Sequence, residues 1–589
     1  MAIKINHRLD SDILVIGGGM AGCFAAIRAS QLGSKVLVVD KGYIGRSCQS
    51  RFIGSNIAVC MPDHDKEICM RELIVGGEFL NDQEWVRIHV HESYALADEL
   101  DRWGEEFGKD ILGRDERGEL SIIKVHGDIN TQQLIISGPK MMDAFRKKLS
   151  KEGIPFLERV MMTGLLTDGD RIRAAVGFNY RNGETYLFTA KAIILAAAGC
   201  SFKLRPLTWS LTGDAQAMAY EAGARLRSME IVGRNNYSRI NAMEGPTGGL
   251  VLSWGMRYVN GLGEEFLNNY LPKIGSRTTH ARDIFRQEIA EGRGPIFKDF
   301  TVIPPEKLRR LVEYRPEHFK ALESMGLDPF KQLVPVEVEE SVAVSGPHGT
   351  NGGGGGVEID TWCATNIPGL YAIGDTAYGA PQGTQPVGGV NLSFCLLSGD
   401  RAARHAVDYA APAASARDGR AIEHRAKEHL AGLGLALTRE DGLPPEELIW
   451  RIQDSFLPFK EAMSDSAHLE KAIAKLMRVK EEDLPRLHCS DSHGLMKAAE
   501  VGSMLLVSEA MLRSMLAREE SRGNRGLARK DFPQTDNVHW LKWTAVEKNG
   551  EQMHVGATDI PTPYFQPIRA KYVPYVHGRD EVDKFVGAQ

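Results

Sequence analysis

The segment DILVIGGGMAGCFAAIRASQLGSKVLVVDKG, residues 12–42, limits the possible folds more than any other part of the chain. Ile13 to Ile16 is a short apolar run rich in β-branched residues and predicts a buried strand. Gly17, Gly19 and Gly22 follow it at the G-x-G-x-x-G spacing. Ala25 to Leu32 predicts a helix and Val36 to Val39 a second strand. Asp40 closes the unit, 23 residues after Gly17. Strand, glycine turn, helix, strand and acid in this order predict a dinucleotide-binding unit. The glycines allow the tight turn and let the backbone approach a pyrophosphate at the helix N-terminus. Asp40 can accept a hydrogen bond from an adenosine ribose hydroxyl. The unit alone fits FAD or NAD.

Length adds the next bound. At 589 residues the chain is too long for one ordinary domain and suits three or four. The net charge is -6 and there is no basic run, so nucleic acid is not expected as a partner. The opening MAIKINHRLDSD lacks the apolar centre of a signal peptide. No stretch reaches the roughly 18 apolar residues of a membrane span, so a soluble, cytoplasmic protein is expected. The eight cysteines are Cys23, Cys48, Cys60, Cys69, Cys200, Cys363, Cys395 and Cys489. None forms C-x-x-C, which argues against an iron–sulfur cluster or a metal site in this chain. Each reads as a buried small residue with a free thiol.

Residues 1–230 alternate strand and helix signals. They include KAIILAAAGC, an apolar strand whose small-residue turn ends at Gly199, a place where a strand meets a cofactor or simply turns. Residues 231–335 are richer in Arg, Asn and Pro. Strand character returns at 336–409, where GLYAIGD presents Gly374 and Asp375 to a ribityl or phosphate group. The expected class is α/β: a Rossmann-type nucleotide-binding domain interrupted by an inserted domain. Amphipathic helices at 415–530 predict a helical domain whose apolar faces form a bundle core. Residues 531–589 predict an irregular C-terminal tail.

The second glycine region, NIPGLYAIGDTAYGAPQGTQPVGGVNLSFCLLSGDRAA, resembles the distal FAD motif of the succinate dehydrogenase/fumarate reductase flavoprotein family. TGDAQAMAYEAGARLRSMEI, GLGEEFL and REESRGNRGLARKDFP resemble further segments of that family, in the same order. The resemblance implies FAD and a Rossmann-type FAD-binding domain with an inserted α+β capping domain, with Gly17, Gly19, Gly22, Asp40, Lys41, Ser47, Gly199, Asp214, Gly374, Asp375 and Asn391 as cofactor-binding candidates. Cys48 stands where covalent members carry the flavin-linked His, so the FAD is expected to be non-covalent. Pro386 stands near the position of an Arg that holds a C4-dicarboxylate, and proline cannot form such a pair. This departure argues against fumarate or succinate.

A second branch, the alpha subunit of adenylylsulfate reductase, is closer in pattern. IIKVHGD, with Asp128, resembles its HGE segment. RINAMEGPTGGLVLSWGMRYVNGLGEEFL resembles its Arg-bearing substrate segment and places Arg239 on the substrate-site Arg. VSGPHGT places His348 on the active-site His. Trp209 aligns loosely with a stacking aromatic. Arg257 and Arg234 are alternatives to Arg239. Arg522, Arg525 and Arg529 read either as part of the site or as a solvated helix end. The resemblance implies a small anionic substrate and a separate iron–sulfur, ferredoxin-like subunit. Three activities stay open: an adenylylsulfate-reductase-like enzyme, an enoate reductase with an altered carboxylate pocket, and an electron-transfer subunit without an organic substrate.

Overall fold

The computed structural model describes residues 4–52, 56–123, 131–204, 210–237, 255–267, 281–314, 316–336, 339–344, 354–384, 388–411, 419–455, 465–522 and 528–572. The first strand, β1, is His7–Ile16, and the second, β2, is Val36–Asp40. They lie parallel, with Ile16 opposite Val39. β1 starts earlier than its apolar run because its partly exposed first half pairs with Tyr186–Ala190. The helix between them, α1, is Met20–Gln31. It begins before the predicted Ala25, so Gly22 falls within its first turn.

The main sheet runs in the order Phe156–Glu158, β2, β1, Thr185–Leu195, Arg171–Asn179, Val160–Asp168, and Leu370–Ala372 also pairs with Thr185–Leu195. Ile16 lies opposite Leu195, and Leu195 opposite Ala372, all in parallel register. The chain therefore leaves three neighbouring strands and β2 at the same edge. The first strand and the strand 370–372 come from distant parts of the sequence, yet one hydrophobic core takes in both, with α1, the helix Val390–Ala410 and the long helix Ser492–Ala517.

The intervening chain has its own small core. Strands Arg257–Val259, Ile296–Asp299 and Val334–Val336 form an antiparallel sheet. Tyr258, Phe266, Phe285, Phe300, Leu311 and Phe319 belong to a separate apolar cluster beneath it. An antiparallel ribbon of Val232–Tyr237 with Glu339–Val344 joins the two ends of this unit. Beyond the ribbon, Gly356 packs backbone on backbone: a Cβ there would stand 2.5 Å from the Ala377 carbonyl.

The tail is more regular than expected. Lys542–Asn549 and Gln552–Asp559 form a hairpin that joins Leu226–Arg227 and Gly356–Val357 in a four-stranded sheet. Its signal is in the sequence, since Asn549-Gly550 sits between two alternating runs. The proline- and aromatic-rich composition of the tail hides that signal.

Candidate active site

The strand ends enclose a cavity of about 580 Å³ lined by Gly17, Gly19, Asp40, Ser47, Ala196 to Ala198 and Ile373 to Asp375, among others. Its size is typical of cofactor clefts, about 300–1,000 Å³, and it sits at the carboxyl ends of parallel strands, where such folds bind ligands. A larger cavity of about 750 Å³ lies between Val160–Asp168 and the helices at 419–434 and 492–517. It mixes apolar residues such as Met161, Met218 and Leu506 with Glu221, Glu428 and Arg439, and it shares no lining residue with the first cavity. In it, burial pushes His429 below its ordinary value.

The glycine turn is shaped for a close ligand. Gly17 adopts φ +117°, and a Cβ there would lie 2.2 Å from the Ala196 carbonyl oxygen. A Cβ on Gly22 would lie 1.9 Å from the Gly17 oxygen, so this glycine allows helix and strand to touch and does not itself line the cavity. Gly19 caps α1 without a side chain to receive the first-turn amides. The first of these amides, Met20 N–H, donates to Ser50 Oγ at 3.0 Å. Those amides and the positive end of the helix suit a pyrophosphate. Asp40 accepts from the Gly18 and Gly42 amides at 2.6 and 2.5 Å, which fixes its carboxylate at the cavity wall. This cradle, with an acid at the ribose distance along the chain, fits FAD.

Lys41 and Asp214 reach the same wall but are committed to each other. The Lys41 ammonium donates to Thr212 Oγ1 at 2.9 Å, Asp214 Oδ2 at 2.7 Å and Glu500 Oε1 at 2.9 Å. These three bonds match its three donors. Lys203 Nζ lies 2.8 Å from the other Glu500 oxygen. Burial works against these charges, but Asp214 and Glu500 outweigh it and raise the Lys41 ammonium. Burial also opposes the Glu500 carboxylate, and Lys41 and Lys203 overcome it to hold the group below its ordinary value. For Lys203, burial wins and lowers the ammonium. Phe202 and Lys203 take φ of +52° and +54°, and Gln453 Nε2 holds the Phe202 carbonyl at 2.8 Å. Side chains of the helical region thus hold a backbone conformation that costs energy by itself.

Burial pushes Asp375 up to about 7. Cys48 also borders the cavity, and burial followed by the nearby Asp40 charge pushes its thiol up to about 12. A thiol held protonated is a poor nucleophile, which agrees with a non-covalent cofactor.

Other candidates are placed less directly. Gly199 lies just beyond the lining and accepts the Gly213 amide at 3.1 Å. Asn391 is on the helix Val390–Ala410, whose Leu392 and Cys395 line the cavity instead. Arg257 is on the edge of the inserted sheet, 42% exposed, with its Nη2 2.7 Å from Asp299. It is not part of the cavity lining. Arg239, His348, Asp128, Trp209, Pro386 and Arg525 lie outside the described residues. Arg234 belongs to the ribbon, but its side chain is not described.

Arg522 and Arg529 are not a solvated helix end. Both are buried, Arg522 against Glu520 and Arg529 against Asp531. Sequence reasoning missed Tyr180, Lys203, His493, Met496, Lys497 and Glu500, all lining the cavity. A usable signal was Glu500, an acid inside the apolar run of the helix Ser492–Ala517. An acid there needs a buried partner.

A family model described as "FAD binding domain" matches residues 12–392, and one described as "Fumarate reductase flavoprotein C-term" matches residues 461–572. One chain of the fumarate reductase (CoM/CoB) of Methanothermobacter marburgensis is 28% identical over 579 residues, covering 93% of this chain and 99% of that one. A chain of Escherichia coli quinol fumarate reductase FrdA superposes with a TM-score of 0.80 at 22% identity, covering 95% of this chain and 98% of that one. Adenylylsulfate reductase from Archaeoglobus fulgidus superposes with a TM-score of 0.76 at 22% identity, covering 94% and 96%. The glycine cradle, the converging strand ends and these matches agree: the chain belongs to the fumarate reductase/succinate dehydrogenase flavoprotein family and is an FAD-dependent oxidoreductase.

Proposed function

We propose that this chain is the flavoprotein subunit of an oxidoreductase that carries out two-electron redox on a small anionic substrate. The observation that carries the reading is the cavity at the strand ends, where the Gly17 turn, Asp40 and Asp375 converge. When bound, FAD supplies hydride-equivalent chemistry at its flavin ring, and the protein supplies orientation and electrostatics. Asp40 orients the ribose, and the first-turn amides of α1 hold the pyrophosphate. Arg239 and His348 hold the substrate anion and stabilise the charge that develops during reaction. Arg257 is a weaker choice because Asp299 already pairs with it.

Within this reading, the segments bearing Arg239 and His348 favour an adenylylsulfate-reductase-like substrate. A second reading, an enoate reductase, draws on the name of the relative from Methanothermobacter marburgensis. The scattered cysteines and the family resemblance support a separate iron–sulfur protein as electron partner.

The test is a screen of anionic oxidants, including adenylylsulfate and fumarate, against the reduced protein, with flavin reoxidation followed by absorbance. Losing a hydrogen bond to a charged group costs about 1.5–3 kcal/mol. Arg239→Ala and His348→Ala should therefore lower the rate roughly ten- to a hundredfold while FAD content stays unchanged. Full activity in both variants would remove these residues from the site. Reoxidation by no oxidant other than an iron–sulfur protein would favour the electron-transfer alternative.

A further inference from the structure

Two cysteines outside the cofactor cavity stand together. Cys60 follows the strand Asn56–Val59, and Cys69 lies in the first turn of the helix Lys66–Gly76. Their Sγ atoms are 2.9 Å apart, and both residues are buried. The loop between them is fixed at its far end, where Asp65 Oδ1 accepts from the Glu67 and Ile68 amides. Lys66 Nζ lies 3.5 Å from the Cys60 sulfur and donates to the Met61 carbonyl at 2.5 Å. Lys66 and Met61, which contact the Cys60 sulfur, are both only partly buried.

We propose that Cys60 and Cys69 form a peroxide-sensitive modification site that closes to a disulfide, with Cys60 attacking and Cys69 resolving. A disulfide needs about 2.05 Å between sulfurs and a suitable approach, so the pair has less than 1 Å to close. The asymmetry follows from the surroundings. The hydrogen bond from Cys69 lowers the Cys60 thiol to about 7 against the opposing effect of burial, and Lys66 and His64 add attraction. The bond to Cys60, burial and the charge of Glu72 all push Cys69 upward, against a hydrogen bond with Thr131.

The chemistry balances with hydrogen peroxide as oxidant. The Cys60 thiolate attacks one peroxide oxygen, the O–O bond breaks, and the other oxygen leaves as water after protonation. The resulting sulfenic acid is attacked by the Cys69 sulfur, the S–O bond breaks, and a second water leaves. Two S–H bonds are lost and one S–S bond forms, with two electrons passing to the peroxide.

The test uses the full chain treated with hydrogen peroxide, then denatured, alkylated and digested with trypsin without reduction. Cleavage after Arg51, Lys66 and Arg71 separates the cysteines into peptides 52–66 and 67–71. The expected product is a disulfide linking these two peptides, leaving six of the eight cysteines alkylated. Lys66→Met should slow closure severalfold, read as loss of two hydrogens from the joined peptide 52–71. Both cysteines still alkylated at peroxide doses that oxidise the other thiols would overturn the site, as would sulfinic acid at Cys60. Unchanged closure in Lys66→Met would overturn Cys60 as the attacking thiol. The readout is mass, so it stands apart from any failure to find a substrate.

Discussion

Two of the buried charge networks among the described residues differ in what lies beside them. Lys41, Asp214, Glu500 and Lys203 meet at the wall of the strand-end cavity. Arg518, Glu230, Glu520 and Arg522 meet where the chain leaves the long helix, with all four side chains at most 1% exposed. In the second network Glu520 accepts from both arginines and from the Asp536 amide, while Thr544 donates to Glu230. None of its members lines the cavity. Burial and pairing are therefore no mark of a ligand site, since both networks have them. The network at the cavity wall differs in joining the cofactor turn to the helical region, so its loss should reach the cofactor.

That contrast can be broken by substitution. Glu520→Gln leaves two buried guanidinium groups facing a neutral amide and should cost about 3–5 kcal/mol of stability, read by chemical denaturation. FAD affinity of the folded fraction should stay within about threefold of wild type. Glu500→Gln should cost a similar amount, about 3–5 kcal/mol, because Lys41 keeps Asp214 just as Arg518 keeps Glu230. It should weaken FAD binding by about tenfold or more, equivalent to at least about 1.4 kcal/mol. Equal FAD losses in the two variants would erase the distinction.

A smaller effect is expected at Asp375. Its carboxyl is raised from 3.8 to about 7 in the folded chain. The folded state then holds a proton that the unfolded state has released, so this group lowers stability as pH rises through that window. In FAD-free protein, Asp375→Asn should raise stability at pH ~8 and leave it unchanged at pH ~3, below both values. The smallest effect belongs to Arg257→Ala. Its pair with Asp299 is partly exposed, so the loss should stay below about 1 kcal/mol, with FAD affinity unchanged.

The strand-end wall of the cavity was legible because its constraints are local. Gly17, Gly19, Gly22 and Asp40 occupy positions set by one turn and one helix, and Gly374 and Asp375 follow a recognisable strand. The opposite wall was not legible. Glu500 is 459 residues from Lys41, and only packing of the long helix brings them together. Arg522 and Arg529 misled for the opposite reason, since an Arg-rich stretch looks solvated until its carboxylate partners are placed. The tail hairpin was recoverable from Asn549-Gly550, but the surrounding composition masks that spacing. Seven of the eight cysteines are buried as expected and Cys48 is only partly so, yet spacing alone gave no hint that Cys60 and Cys69 would touch.

The central claim is that FAD lies with its pyrophosphate at the Gly19 end of α1, and one variant tests it most directly. Gly19 has φ -80° in the extended region, and a Cβ there would meet Ser50 Oγ at 3.4 Å, an ordinary contact. Aspartate fits this position and is a favourable helix cap, yet its carboxylate would stand where the phosphates bind. Titration of FAD-free protein, followed by flavin fluorescence, should give one acid-releasable FAD per wild-type chain. Gly19→Asp should keep the wild-type melting temperature and lose FAD binding by about a hundredfold or more, at least about 2.7 kcal/mol. Wild-type FAD affinity in a folded Gly19→Asp variant would contradict the placement of the cofactor.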